Sequence, residues 1–549
     1  MFRKNTQHKQ EELFNSFTGM NPKVKKSMQG TWAPLFYEHV FFHIDETPFA
    51  VLYSSHNGRP NFPINILLSL EFIKHMKDYT DEEILEQFHF NFQVMYALGI
   101  RNLGEVYLAE RTLYEFRRRL YEYTISHPEQ EDLIFRQFRK LTEHFMTIAG
   151  IASREQPMDS TQVQTNIKLA GRLSLAFDVV EKAVRECPAA HLPEALKPFA
   201  EPGFRNQFLY RCKTKETLGR IQEMLNQCAL LLDIAEAHPE SLRKETVALL
   251  QRFLQEQATY HAEKKQWIAK ANKDIAADAI QSAHDPDVTY RKKGRQGYVG
   301  LVANVAETCA NENPVQMITH YQVEKNSVSD TELLTQSMET LKKETGLTDL
   351  YVDGAYFSSK TEELAQENHV CIHYTNMTGR ERKAEKLPVL AFTFDNNKAI
   401  VSCPACYNPL DTSFDEKRKV LIAEFERSTC QECPMQPACP VKIQSKKATV
   451  TIKQSSILAA QARERTMQIK KERLAATSKR AAIEGSISSI KRGQGAGRLR
   501  VRGIVKATLV FGMKVLGHNF RQLLRCFKKG FCQKLTTIYR EDQGMSAPI

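Results

Sequence analysis

Leu350-Tyr351-Val352-Asp353-Gly354-Ala355-Tyr356-Phe357-Ser358-Ser359 is the stretch on which the reading of this chain turns. A short apolar run ends in a carboxylate, and a glycine follows at once. The pattern predicts a buried strand that delivers an acid to its C-terminal edge, with Gly354 letting the backbone turn away. An Asp-Gly pair after a strand also serves as a plain turn, so the weight of Asp353 depends on whether other segments supply partner acids.

The flanks extend the pattern. Upstream, Gly297-Tyr298-Val299-Gly300-Leu301-Val302-Ala303-Asn304-Val305 and Val315-Gln316-Met317-Ile318-Thr319-His320-Tyr321-Gln322-Val323 are β-rich, with an Asn313-Pro314 turn between them. They predict a hairpin. A helix is expected over 331–343, then the Asp353 strand, a second helix over 360–367, and the strand Val370-Cys371-Ile372-His373-Tyr374. This order of elements resembles the ribonuclease H-like α/β fold. The missing first strand would be the one leading into Met158-Asp159-Ser160-Thr161-Gln162-Val163, where Asp159 is a second acid and Ser160 and Thr161 are hydrogen-bonding neighbours.

A third acid stands in Arg480-Ala481-Ala482-Ile483-Glu484-Gly485-Ser486-Ile487-Ser488-Ser489-Ile490-Lys491-Arg492. Ile483, Ile487 and Ile490 form one apolar stripe of a helix. Arg480, Glu484 and Lys491 fall at i, i+4 and i+11, close to whole turns, and so share a neighbouring face. An i,i+4 ion pair alone would account for Arg480 and Glu484 at a few tenths of a kcal/mol. Gly485, however, costs a helix about 1 kcal/mol relative to alanine. The segment that follows, Gly493-Gln494-Gly495-Ala496-Gly497-Arg498-Leu499-Arg500-Val501-Arg502-Gly503, reads as a flexible basic loop suited to tracking a phosphate backbone. It lacks the Gly-Lys-Ser/Thr ending of a nucleotide-binding loop, so no nucleotide cofactor is expected.

Three convergent carboxylates are a ligand set for hard divalent cations, Mg²⁺ or Mn²⁺. Two such ions activate a nucleophile and stabilise the leaving oxygen at a phosphodiester. The charge pattern agrees. Residues 441–549 hold 24 Lys and Arg against 5 Asp and Glu, within a chain total of 76 against 64. A basic terminal region on an acidic body points to a polyanion partner.

The cysteines predict a second kind of metal site. Cys403-Pro404-Ala405-Cys406 and Cys430-Gln431-Glu432-Cys433 are separated by 23 residues, with Cys439 further on. Two such knuckles place four thiolates around a structural, tetrahedral Zn²⁺, with Cys433 and Cys439 alternatives for the last ligand. A zinc-ribbon-like insertion over 379–450 follows. No apolar run reaches eighteen residues and the N-terminus has no apolar signal core, so a soluble, cytoplasmic protein with no membrane partner is expected.

The remaining segments fill in the domains. Residues 1–30 read as a flexible arm. A helical, DNA-binding N-terminal domain spans 31–125. It includes a capping box at Thr80 and Glu83 and ends in a helix bearing Arg117, Arg118 and Arg119, which would either dock in DNA as a helix-turn-helix-like unit or simply decorate the surface. A helical insertion occupies 168–283. The catalytic core is then 140–167, 284–378 and 451–525, and 526–549 is a tail.

Met158-Asp159-Ser160-Thr161, Val352-Asp353-Gly354-Ala355-Tyr356 and Arg480-x3-Glu484-x6-Lys491 together resemble the signatures of the DDE transposases of bacterial insertion sequences. The Trp32–Leu120 region, ending Arg111-Thr112-Leu113-Tyr114-Glu115-Phe116-Arg117, resembles the same family's N-terminal domain, and the likeness covers about residues 32–520. It implies that Asp159, Asp353 and Glu484 bind the catalytic metals. It also implies that Arg480 and Lys491 contact double-stranded DNA near the element ends, and the implied partners are the terminal repeats and target DNA. Arg492, Arg498, Arg500 and Arg502 are read as DNA-binding from the basic character of their stretch. The family commonly has a tyrosine three residues before the arginine, and Thr477 stands there. The implied activity is cleavage at element ends and strand transfer of 3′-hydroxyls, by a homodimer in a synaptic complex associated with the nucleoid. The competing readings are a DNA-binding repressor or domesticated remnant without catalysis, and a two-metal nuclease without strand transfer.

Overall fold

The computed structural model describes residues 1–9, 15–210, 212–263, 265–375, 377, 386–396, 399–471 and 476–531. The side chains of 469–471, 476 and Thr477, and all of the tail beyond 531, lie outside the described set.

The N-terminal region is helical: α1 (Pro22–Gln29), α2 (Trp32–His39), α3 (Ile64–Lys77), α4 (Asp81–Phe90), α5 (Phe92–Ala97), α6 (Glu110–Ser126) and α7 (Leu133–Ala149). Twelve of the fourteen residues of α3 are buried. A helix apolar on all sides must be surrounded, and α3 is the hub of this region. The capping box forms as expected, with Glu83 N donating to Thr80 Oγ1 at 3.1 Å and Thr80 N to Glu83 Oε2 at 2.6 Å.

The described part of residues 1–30 is not a loose arm. Phe2 N donates to the Ser54 carbonyl at 3.0 Å, Arg3 N to Asn61 Oδ1 at 2.6 Å and Asn5 N to Glu46 Oε1 at 2.9 Å. Asn21 caps α1, and Phe17 and Met28 are buried. Backbone hydrogen bonds to distant side chains and two apolar anchors hold a segment whose polar composition gives no periodic signal.

The central sheet starts with β1 (Glu155–Val163). After α8 (Arg172–Glu186), α9 (Phe204–Tyr210), α10 (Thr217–Ala237), α11 (Lys244–Gln257) and the hairpin β2 (Ala258–His261) and β3 (Gln266–Ala269), it resumes with β4 (Thr289–Lys293), β5 (Gln296–Glu307) and β6 (Ile318–Lys325). α12 (Asp330–Thr345), β7 (Asp349–Val352), α13 (Ser359–Glu367) and β8 (Cys371–Tyr374) complete it. The order is β4-β5-β1-β7-β8, with β6 also paired to β5. β1 runs antiparallel to β5 and parallel to β7, and β7 runs parallel to β8. Beyond lie β9 (Thr393–Asp395), β10 (Ala399–Ser402), β11 (Asp411–Asp415), β12 (Val420–Phe425), α14 (Arg427–Gln431), β13 (Lys442–Ile443), β14 (Ala448–Lys453), α15 (Gln454–Lys471), α16 (Ala476–Gly493) and α17 (Ile504–Lys528).

Both sheet faces are covered. On one, Val305, Ile318 and Tyr321 share a core with α7, α16, α17 and the N-terminal helices, where Phe520 packs edge-on against Phe36 and Phe72. Gly512 lets α17 approach so closely that a methyl there would overlap the Tyr321 hydroxyl. On the other face Met158, Leu350 and Val352 meet Leu334, Met338 and Leu341 of α12 and Ala462 of α15. The helices α8–α11 enclose a core of their own, including Phe177, Met224 and Phe253. A four-stranded antiparallel sheet, β11-β12-β14-β13, packs with Phe392 and Ile400 in another.

Candidate active site

Strand register brings two of the acids together. In the parallel pair β1–β7, Pro157 is opposite Tyr351. Asp159 and Asp353 each stand two residues further on, and side chains two apart along a strand share a face. Asp353 caps the turn after β7, its Oδ1 accepting from Ala355 N at 2.8 Å. Burial pushes the Asp159 carboxyl up to about 6; Arg480 opposes this, and the nearby charge of Asp353 adds to it.

The third acid arrives on α16, which lies along β1. Arg480 Nη2 is 3.6 Å from Asp159 Oδ2, and its Nη1 is 3.1 Å from Glu484 Oε1. One guanidinium therefore spans the first and third acids. Asp159 is largely covered, with 18% of its side chain accessible, whereas Glu484 is 56% accessible and faces solvent. Lys491, two turns on, reaches back to β1, where its Nζ donates to Thr161 Oγ1 at 3.1 Å and the Gln162 carbonyl at 3.0 Å.

A supporting layer escaped the sequence reading. Ser160 Oγ donates to Asp330 Oδ1 at 2.7 Å, and Arg291 Nη2 holds the other oxygen of Asp330 at 2.9 Å. The Tyr356 hydroxyl donates to Asn304 Oδ1 at 2.8 Å, and Lys479 pairs with Glu155. The only sequence signal for this layer is polar residues inside apolar strand runs, such as Asn304 within Leu301–Ala306.

Glu307 is the most consequential of these. It is 1% exposed, burial pushes its carboxyl up to about 7, and Ser486 Oγ of α16 donates to it at 2.5 Å. A carboxyl that titrates higher folded than unfolded contributes stability that is full below its unfolded pKa of 4.5 and is lost as pH rises through about 7. Glu307→Gln is therefore expected to gain up to about 3 kcal/mol over wild type at pH 8 and nothing at pH 4. Denaturant melts at the two pH values check this, and an equal difference at both would reject it.

The expected DNA-contacting arginines divide. Arg117 is turned inward, with Glu71 and Asp81 each 2.6 Å away, and its guanidinium is committed to joining α6 to α3 and α4. Its reading as a DNA contact is corrected accordingly: two carboxylates distant in sequence fold onto it. Arg118 is exposed and paired with Glu115 and Glu122. Arg119 lies over the Tyr53 ring at 4.9 Å.

Arg492, Arg498, Arg500 and Arg502 are all exposed. Arg500 Nη2 is 3.5 Å from Asp78 Oδ2, and Arg502 Nε donates to the Asn166 carbonyl at 2.7 Å. Their loop is pinned, not flexible. Gln164 N donates to the Gly497 carbonyl at 3.0 Å, Leu499 N to the Gln164 carbonyl at 2.8 Å and Asn166 N to the Val501 carbonyl at 2.9 Å, so the loop continues the hydrogen bonding of β1. Gly495, at φ +66°, sits against the Asp78 carboxylate.

Cys403, Cys430 and Cys439 pack against the β10–β14 core. Burial pushes the Cys430 thiol up, with Cys439, Cys403 and Cys433 adding to the shift. Cys406 is exposed. Tyr407 N lies 3.4 Å from Cys403 Sγ. Two groups of three possible ligand atoms within 4.8 Å of one another occur among the described residues: Asp349–Cys371–His373 and His191–His238–Glu240. Asp159 and Glu484 share the Arg480 guanidinium, and the charge of Asp353 acts on Asp159, but the three acids are not among these close-set groups. No helix among the described residues is long and apolar enough to cross a membrane.

A family model described as Transposase DDE domain matches residues 402–524, and one described as Transposase domain (DUF772) matches residues 27–119. The first match covers Arg480, Glu484 and Lys491; Asp159 and Asp353 lie outside both matches. No curated protein and no solved structure matches the chain. One match lies on the N-terminal helices and the other on the segment bearing the third acid, so over these two stretches the chain is similar to transposases, the second of them of the DDE type.

Proposed function

We propose that this transposase hydrolyses phosphodiester bonds at the ends of its element and transfers the resulting 3′-hydroxyls into target DNA, using Asp159, Asp353 and Glu484. The single observation behind the reading is the bridge made by Arg480, which links an acid of β1 to an acid of α16 beside Asp353. The strand order, with β6-β5-β1 antiparallel and β1-β7-β8 parallel, supports a ribonuclease H-like core. The donor set suits Mg²⁺ or Mn²⁺, because two crowded carboxylates, one of them pushed up to about 6, gain from a shared divalent cation. When bound, such ions supply Lewis acidity at the phosphodiester. Arg480 keeps Glu484 near the other acids and offers a guanidinium to phosphate. Lys491 fixes α16 on β1, and the exposed Arg492, Arg498, Arg500 and Arg502 line a path for the duplex.

The cysteine ribbon is proposed to hold a structural Zn²⁺ through Cys403, Cys430, Cys433 and Cys439, since Cys403 and Cys433 stand near enough to raise the thiols of both Cys430 and Cys439, with Cys406 outside this set. The family resemblance supports a homodimer that synapses two ends, and the basic C-terminal region supports association with the nucleoid.

The test is to incubate the purified protein with labelled end DNA, with and without Mg²⁺. Metal-dependent nicks followed by joined products are expected. Binding without cleavage would replace this reading with the repressor, and cleavage without joining would replace it with the nuclease.

A further inference from the structure

At the end of the sheet opposite Asp353, the register of β7 and β8 assembles a sulfur, a nitrogen and an oxygen donor. Asp349 is directly opposite Cys371, and Tyr351 is opposite His373. Residues two apart on a strand share a face, and in-register neighbours on parallel strands point the same way. Asp349, Tyr351, Cys371 and His373 therefore stand on one face. One carboxylate oxygen, the imidazole and the thiol lie within 4.8 Å of one another, with His373 Nε2 at 2.8 Å from Asp349 Oδ1.

The donors are also oriented. Thr348 Oγ1 donates to Asp349 Oδ2 at 2.8 Å, leaving Oδ1 to face the imidazole. The His373 ring stacks on Tyr351 at 4.7 Å and 16°, which fixes its plane. Such contacts behind the ligands are what hold metal-binding side chains in place. Lys479 lies over Tyr351 and is paired with Glu155, and Arg465, which borders the same hollow as His373, is paired with Glu362, so both charges are offset. Cys371 is exposed, which gives an ion access.

We infer that Asp349, Cys371 and His373 form a binding site for a zinc-type divalent cation, separate from both the acid cluster and the cysteine ribbon. Mixed thiolate, imidazole and carboxylate donors suit Zn²⁺ and not Mg²⁺, and three protein ligands leave a fourth position to solvent. The bound ion replaces the proton shared by His373 and Asp349 and takes the thiolate of Cys371, so that it clamps β8 to β7. The site stands whether or not the chain cleaves DNA.

The probe is Cys371 itself. Full-length protein is stripped of metal, then exposed to iodoacetamide with and without micromolar free Zn²⁺, and alkylation is followed peptide by peptide. Zinc is expected to slow modification of Cys371 by about tenfold or more, because only the free thiolate reacts. His373→Gln and Asp349→Asn are expected to remove most of that protection while leaving protection of the Cys403 to Cys439 peptides unchanged. An alkylation rate at Cys371 indifferent to zinc in the wild-type protein overturns the site, whatever the variants do. Full protection in both variants would overturn it too, by showing a thiol acting alone.

Discussion

Arg117→Ala is expected to lower the stability of the protein by about 3–5 kcal/mol, the range seen when one partner of a buried ion pair is removed. Burial disfavours the charged form of Glu71, yet Arg117, helped by His75 and Lys74, holds the carboxyl well below the usual range. Only 10% of the Glu71 side chain and 12% of the Arg117 side chain are accessible. Without the guanidinium, Glu71 is left charged in the interior beside α3 or must take up a proton. The second partner, Asp81, is 30% accessible and contributes less.

The sign of the pH dependence follows. A depressed folded pKa contributes stability that is full above the unfolded value of 4.5 and fades as pH falls towards the folded one. The deficit of Arg117→Ala should therefore be largest at pH 7 and shrink in acid, where the stranded Glu71 is neutralised. Adding Glu71→Gln to Arg117→Met should recover most of the loss, since two neutral groups of similar shape replace the pair. Denaturant melts measure all three variants. A loss under about 1 kcal/mol for Arg117→Ala would mean that the pair is solvated and that the arginine is free for DNA after all.

That pair also shows what a sequence withholds. Arg117 stands in a run of three arginines, and charge alone marks the run as an exterior face. The carboxylates that capture it lie 46 and 36 residues earlier, on α3 and α4. The Gly-rich loop was misleading for a similar reason, because its rigidity comes from Gln164 and Asn166, more than 300 residues before it. By contrast, the strands that carry Asp159 and Asp353 are local patterns, with Asp159 inside β1 and Asp353 just past the end of β7. The pairing of Glu484 with Arg480 follows from helical spacing. The helix expected over 331–343, which runs Asp330–Thr345, and the hairpin of β5 and β6 around the Asn313-Pro314 turn were legible from local residue patterns. The strands β2, β3 and β4 were not, since β2 and β3 are only four residues long and β4 is rich in charge, with little alternation to detect. Cys371 and His373 were readable as a strand, but only the register with β7 adds Asp349 to them.

Asp353→Asn is expected to reduce metal-dependent cleavage of end DNA roughly a thousandfold or more, the scale on which loss of a group acting in the transition state is felt. DNA binding without metal should stay close to wild type, because the basic loop and α16 are untouched. The amide keeps the turn: an Asn oxygen can still accept from Ala355 N as Asp353 Oδ1 does at 2.8 Å. The fold is therefore preserved while the proposed cation ligand is lost.

The substitution also carries a signature that a merely structural role would not produce. Burial, with the charge of Asp353 adding to it, holds Asp159 near 6 against the pull of Arg480. In the wild-type protein, Mg²⁺ must displace a proton from Asp159 below about pH 6, so apparent affinity for the ion should rise with pH through that value and level off above it. Removing the Asp353 charge takes away a like-charge neighbour, so the Asp159 carboxyl should titrate at lower pH in Asp353→Asn and the remaining weak ion binding should reach its plateau earlier. Calorimetric Mg²⁺ titrations at pH 5, 6 and 8 separate the two proteins. If their pH profiles coincide, Asp159 and Asp353 do not share an ion, and the assignment of this sheet end as the catalytic site fails even if cleavage is lost.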